Sequence, residues 1–130
     1  MAIEQAIFSI LTADATLSGL VGARVYPVRA SQDGSEPYIE FEFDGLVPEI
    51  TLDGALNYDY QRVTFNVYAP TYDAAQSVAR AIRGVLQNYT GTVSGVTITY
   101  CQLNQQTDSD EFDVGLFSVT ATYELQYRLT

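Results

Sequence analysis

A chain of 130 residues, nearly half of them apolar, can build one hydrophobic core and has little room for a second, so a single domain over residues 1–130 is expected. Sixteen carboxylates against six arginines leave a formal charge of −10; such a surface repels nucleic-acid phosphates, which disfavours gripping DNA but not letting it pass. The chain has no histidine and no lysine, which excludes Ser-His-Asp and Cys-His catalysis, histidine zinc sites, Schiff-base lysines and the P-loop.

Cys101 is the single cysteine, so no internal disulfide exists, and its strand-like surroundings suit a buried thiol acting as a small hydrophobe. There is no apolar run approaching roughly 18 residues and no signal-peptide pattern, so a non-exported chain with no membrane partner is expected.

Residues 2–12 carry Ile3, Ala6, Ile7, Ile10 and Leu11 at helical spacing. Phe8 falls off that stripe, either as an edge-of-core aromatic or as a subunit contact. Asp14 is placed to cap a second short helix carrying Leu17, Leu20 and Val21, which Gly22 ends. Arg24–Tyr26 reads as a short strand and residues 28–37 as a loop.

From Tyr38, the residues Ile39, Phe41 and Phe43 alternate with Glu40, Glu42 and Asp44, the period of a half-buried strand. Val63, Phe65, Val67 and Ala69 alternate likewise on the return arm, so the two form a long central hairpin. A three-residue turn at Asp53-Gly54-Ala55 pairs Leu52 with Leu56, Ile50 with Tyr58, Phe43 with Phe65, Phe41 with Val67 and Ile39 with Ala69. Near the tip the apolar positions become Ile50, Leu52, Leu56, Tyr58 and Tyr60, so both arms change face near Leu46 and Arg62, which predicts a bend or paired bulges close to Gly45 and Pro48. A tip with its own apolar face must bury it, so residues 47–60 are expected to pack on another subunit.

After Pro70, Thr71 is a plausible N-cap, with Asp73 in the first turn where the helix dipole favours an anion. Ala75, Val78, Ala79, Ile82, Val85, Leu86 and Tyr89 then form one apolar stripe, with Gly91 available as the stop. Gly95–Leu103 and Leu116–Leu129 read as two more strands joined by a polar, acidic connection over 104–115. The fold class is α+β: an antiparallel sheet of about four main strands with helices on one face.

Three groups invite a functional reading. Asp108, Asp110, Glu111 and Asp113 fail the calcium-loop pattern because Phe112 stands at its fifth position, so a solvated acidic loop is expected. Glu40, Glu42 and Asp44 share a strand face at a spacing that paired acid–base carboxylates use, but the chain has no tryptophan to wall a sugar cleft, and an ordinary polar face is expected. Arg80 and Arg83 lie off the apolar stripe, either solvated or paired with a neighbour's acids. Gly91–Gly95 joins a helix to a strand and lacks the helix N-terminus of a phosphate loop, so a turn is expected.

The succession LTADATLSGLVGARVYP, TLDG, VTFNVYAPTYDAAQSVARAIRGVLQNYTGTVSGVTI and DVGLFSVTATYELQYR resembles the tail-completion (tail-terminator, head–tail joining) proteins of long-tailed bacteriophages over nearly the whole chain. The resemblance implies a ring-forming structural subunit without catalytic residues or cofactor. Six copies would cap the finished tail tube at the head-proximal end of the virion, after assembly in the host cytoplasm. Its partners would be further copies of itself, the tail tube protein and the head–tail connector, with DNA passing through the channel unbound. On that reading Ile50, Leu52, Leu56, Tyr58, Tyr60, Arg80 and Arg83 are candidate subunit contacts, and Glu40, Glu42, Asp44, Asp108, Asp110 and Glu111 candidate channel residues. The alternative is a small ligand-binding or regulatory α+β domain.

Overall fold

The computed structural model describes residues 2–22, 24–27, 37–51, 54–111 and 116–129, with the backbone alone at 2, 27, 44–51, 54–58, 109–111, 116 and 129. Two short helices open the chain, α1 (Ala2–Ala13) and α2 (Ala15–Val21). Asp14 between them accepts the Leu17 amide at 2.9 Å, the expected cap, and Gly22 ends α2 at φ 59°, a conformation that favours glycine. Strands β1 (Val25–Pro27), β2 (Tyr38–Thr51) and β3 (Gly54–Ala69) follow, then α3 (Tyr72–Leu86), and finally β4 (Gly91–Val93), β5 (Val96–Glu111) and β6 (Leu116–Leu129).

Thr71 caps α3 through the Ala74 amide, and Asp73 lies in its first turn. The helix stops earlier than the sequence suggests. Gln87 is its C-cap and Asn88 takes the left-handed turn at φ 63°, leaving Gly91 to open β4. Gln87 and Asn88 then clamp β5: the Gln87 side chain accepts the Leu103 amide at 2.9 Å, and the Asn88 amide donates to the Cys101 carbonyl at 2.9 Å. These bonds cover part of an edge that β4 is too short to protect.

The six strands run in the order β1-β2-β3-β6-β5-β4. All neighbours are antiparallel except β1, which pairs parallel to β2 through Val25↔Ile39. The sheet therefore has six strands instead of the expected four or so, with the short β1 and β4 at its edges. The turn expected in Gly91–Gly95 is the loop of a tight hairpin in which Val93 pairs with Val96. Ser94 and Gly95 both have positive φ, as a two-residue type I′ turn requires.

Two expectations about the long strands need correction. Residues 104–111 are not a loop; they extend β5 along β6 to the pair Glu111↔Leu116, so Asp108, Asp110 and Glu111 stand on a strand. The central hairpin pairs Ile39 with Val67, Phe41 with Phe65 and Phe43 with Val63, two residues away from the register read from the turn. At the base of the hairpin this two-residue slip keeps every side chain on its face, so apolar still meets apolar. At the tip Ile50 pairs with Ala55 and Thr51 with Gly54, so neither the expected three-residue turn nor the Ile50–Tyr58 pair forms. The bulge expected near Gly45 is present, with two residues of β2 opposite one of β3 between Asp44↔Arg62 and Val47↔Tyr60. It is confined to β2 at this height, because β3 pairs with β6 without interruption from Tyr58 to Ala69. The strand backbone of residues 54–57 and 48–51 extends past the last β3–β6 pair, so the hairpin projects as an arm.

The core lies between the sheet and the helices. Ile39, Phe41, Val63, Phe65, Val67, Val119, Ala121, Tyr123 and Leu125 are buried on one sheet face. Helix α3 covers β3, β5 and β6; α1 covers β1, β4 and β5; α2 packs on both helices. From α3, Val78, Ile82 and Leu86 are fully covered and contribute roughly 5–9 kcal/mol gross, at about 1.5–3 kcal/mol each. Small Ala75 and Ala79 at the same interface let the helix approach the strands closely. Phe65 centres an aromatic cluster, 6.1 Å from Phe41 and 5.7 Å from Tyr123 between ring centroids.

Tyr123 is wholly buried, and among the described residues its hydroxyl finds no hydrogen-bond partner. Burial pushes its ionisation up to about 12, with nearby Cys101 adding to the shift and Arg83 opposing it. Tyr123→Phe removes an unsatisfied polar atom and keeps the ring, so its expected effect is neutral to stabilising by about 1 kcal/mol in urea unfolding. A loss above about 1 kcal/mol would show that the hydroxyl is satisfied in solution.

Candidate assembly surfaces

The sheet face turned away from the helices is polar and internally bonded. Thr64 and Thr122 lie 3.3 Å apart, Thr120 donates to Asn66 at 2.9 Å, and Arg62 meets Glu124 at 3.6 Å. Tyr38 stacks on Tyr68 with centroids 5.2 Å apart, and Tyr60 packs beside Tyr100 at 6.1 Å. Glu40 and Glu42 stand on this face along β2, paired with Asn66 and Thr64, with Glu42 exposed. Period-two alternation produces this arrangement by sending every second residue of each strand to the helix-free side.

Asp108 is not part of that face. It opposes buried Val119 and bonds α3 instead, accepting from the Tyr72 hydroxyl at 3.1 Å and from Gln76 Nε2 at 2.8 Å. The bond to Asp108 and its charge raise the Tyr72 ionisation above the ordinary value. Asp108 therefore ties the extended β5 to the start of α3, and the structure does not bring it together with Glu40 and Glu42. Leu52 and Asp113 lie outside the described residues, and at Asp44, Ile50, Leu56, Tyr58, Asp110 and Glu111 the backbone alone is described. Tyr60 lies on the helix-free face and is half-buried.

The helix layer offers a different surface. Arg80 and Arg83 are exposed on α3. A groove of about 580 Å3 runs beside Arg80, walled by Leu20, Ala81, Gly84 and Val85. A second of about 410 Å3, walled by Ile10, Ala13, Tyr89 and Val93, adjoins it, since both share Asp14 and Val85. Phe8 is 36 % exposed on α1. Sequence periodicity marked Phe8 and Arg80 as off the apolar stripes but gave no sign of the grooves, which arise where three helices meet side chains as small as Gly84 and Ala81.

Cys101 is buried, and burial pushes its thiol up to about 12, so the thiolate needed for nucleophilic or redox work is disfavoured. Among the described residues no three His, Cys, Asp or Glu side chains are grouped to hold a metal ion, and no helix is long and apolar enough to cross a membrane. The described residues thus present extended surfaces, a polar sheet face and two helix-layer grooves. The comparisons supply the class. The family model described as Tail completion protein gp17 matches residues 5–128, nearly the whole chain. The chain belongs to this family of structural phage tail proteins. Among solved structures, a chain of the virion of a native gene transfer agent particle aligns with a TM-score of 0.83 at 16 % identity, covering 98 % of this chain and 95 % of that one, which shows a common fold. No curated protein matches closely enough to count as a relative.

Proposed function

We propose that this chain completes the phage tail as a six-membered ring that caps the tail tube and meets the head connector, with DNA passing through its centre. The family and the fold shared with a phage-like particle support a tail role. The observation that carries the channel is the helix-free sheet face. Its Thr64 and Thr122, and its Thr120 and Asn66, are engaged with one another, Arg62 pairs with Glu124, and Glu40 and Glu42 on β2 join Glu124 to outnumber the two arginines of the face, Arg62 and Arg128. Such a face offers phosphates few free donors and a repulsive charge, so DNA slides along it instead of adhering.

A closed ring needs two different patches that meet around the circle. The hairpin arm with Ile50, Leu52, Leu56, Tyr58 and Tyr60 is one, because it extends past the edge of the subunit's own β3–β6 pairing. The face of α3 with Arg80 and Arg83 is the other. Asp110 and Glu111, at the far end of the β5–β6 hairpin, rim the opening. Reversing Glu40 and Glu42 to lysine is expected to leave assembly intact and to slow DNA release from completed particles, measured by ejection kinetics. Unchanged kinetics in particles carrying the reversed ring would remove this face from the channel.

A further inference from the structure

We propose that the groove along α3 is the seat for Phe8 of a second copy of this chain, with Glu4 of that copy reaching Arg80. This rests on the ring reading above and says how neighbours lock. Five residues separate Phe8 from Ala13, so they stand about 140° apart around α1 at 100° per residue. Ala13 lines the adjoining groove, which shares Asp14 and Val85 with this one, whereas Phe8 lines neither and is exposed. Knob and hole therefore face different ways on one molecule. A subunit cannot fill its own groove, and two copies cannot satisfy both by a two-fold exchange without matching faces, whereas head-to-tail closure satisfies every copy.

Charge and chemistry agree with that occupant. The groove is walled by Leu20, Ala81, Gly84 and Val85 and bordered by Arg80, which makes no ion pair among the described residues. Glu4 stands one turn before Phe8 on the same flank, so the knob brings a carboxylate beside an aromatic ring. An aromatic in a pocket beside an arginine–carboxylate pair is a recurrent interface anchor. The wall is open at Gly84, where an added Cβ would meet nothing within 4 Å.

That open space supplies the test. Gly84→Leu plugs the groove from an exposed helical position and replaces a poor helix former, so the folded subunit keeps or gains thermal stability. Self-association, followed by sedimentation and by imaging on tail tubes, is expected to weaken at least tenfold in Gly84→Leu and in Phe8→Ala. Arg80→Glu and Glu4→Arg are each expected to weaken it, and the two exchanges together to restore it. Gly84→Leu rings that form as readily as wild type would overturn the seat and leave the ring reading standing. Rings that still form but no longer attach to tubes would show a tube subunit as the occupant and overturn it equally. Wild-type protein that never self-associates, alone or on tubes, would overturn both.

Discussion

Phe65→Ala is expected to remove about 3–5 kcal/mol of stability, the range for deleting a large aromatic from a closed core. Phe65 is completely buried at the middle of β3, between the rings of Phe41 and Tyr123 and under the helix layer. Strands β2 and β6 hold β3 from both sides, so the backbone cannot collapse into the space left behind. The thermal midpoint should fall by roughly 10–20 °C for a domain of this size. In urea the midpoint should drop with little change in slope. A loss under about 1 kcal/mol would mean that the helix–sheet layer is looser than described.

Val78→Asp should be more damaging and should depend on pH. Val78 is fully covered on the sheet-facing side of α3, where a carboxylate would lose its hydration without gaining a cation. Burial of this kind raises a carboxyl well above its ordinary value of about 3.9, by up to about 3–5 units, which costs about 4 kcal/mol at pH 7 and more as pH rises further. A raised folded value means that the folded state binds more protons than the unfolded one. The penalty is then smallest below the unfolded value, grows as pH rises through the window between the two, and is constant above the folded value. Urea midpoints relative to wild type should therefore show a larger deficit at pH 8 than at pH 4. Equal deficits at both would place residue 78 in contact with water.

The caps and stripes were readable because they are local. Asp14 and Thr71 sit one residue before their helices, and the Ala75–Leu86 stripe needs only its own spacing. Other features depend on partners. The one-sided core settles which face each strand residue takes but not an even slip along the partner, so the base of the hairpin lies two residues from the register read at the turn, and the tip closes at Thr51↔Gly54 instead of around a three-residue turn. A bend or paired bulges are expected, and both arms yield, at different heights: β2 carries the extra residue between Asp44 and Val47, and β3 carries extra residues between Ala55 and Asp59, at and beyond the end of its pairing with β6. Asn104–Glu111 has no apolar alternation, and it becomes strand because the strongly alternating β6 offers it a ladder. The surfaces follow the same division. Period two places Glu40 and Glu42 on one face, whereas the engagement of Asp108 with Tyr72 and Gln76 brings together residues more than thirty positions apart, which no spacing rule reveals.

On the proposed reading, this subunit's surfaces are covered by copies of itself at the end of a tail tube. Negative-stain imaging of the purified protein, alone and mixed with tail tubes, tests it most directly. Six-fold rings, free at high concentration or seated on tube ends, are the result expected. A protein that stays monomeric at every concentration and leaves tube ends bare would contradict it, the more so if it bound a small molecule in that state.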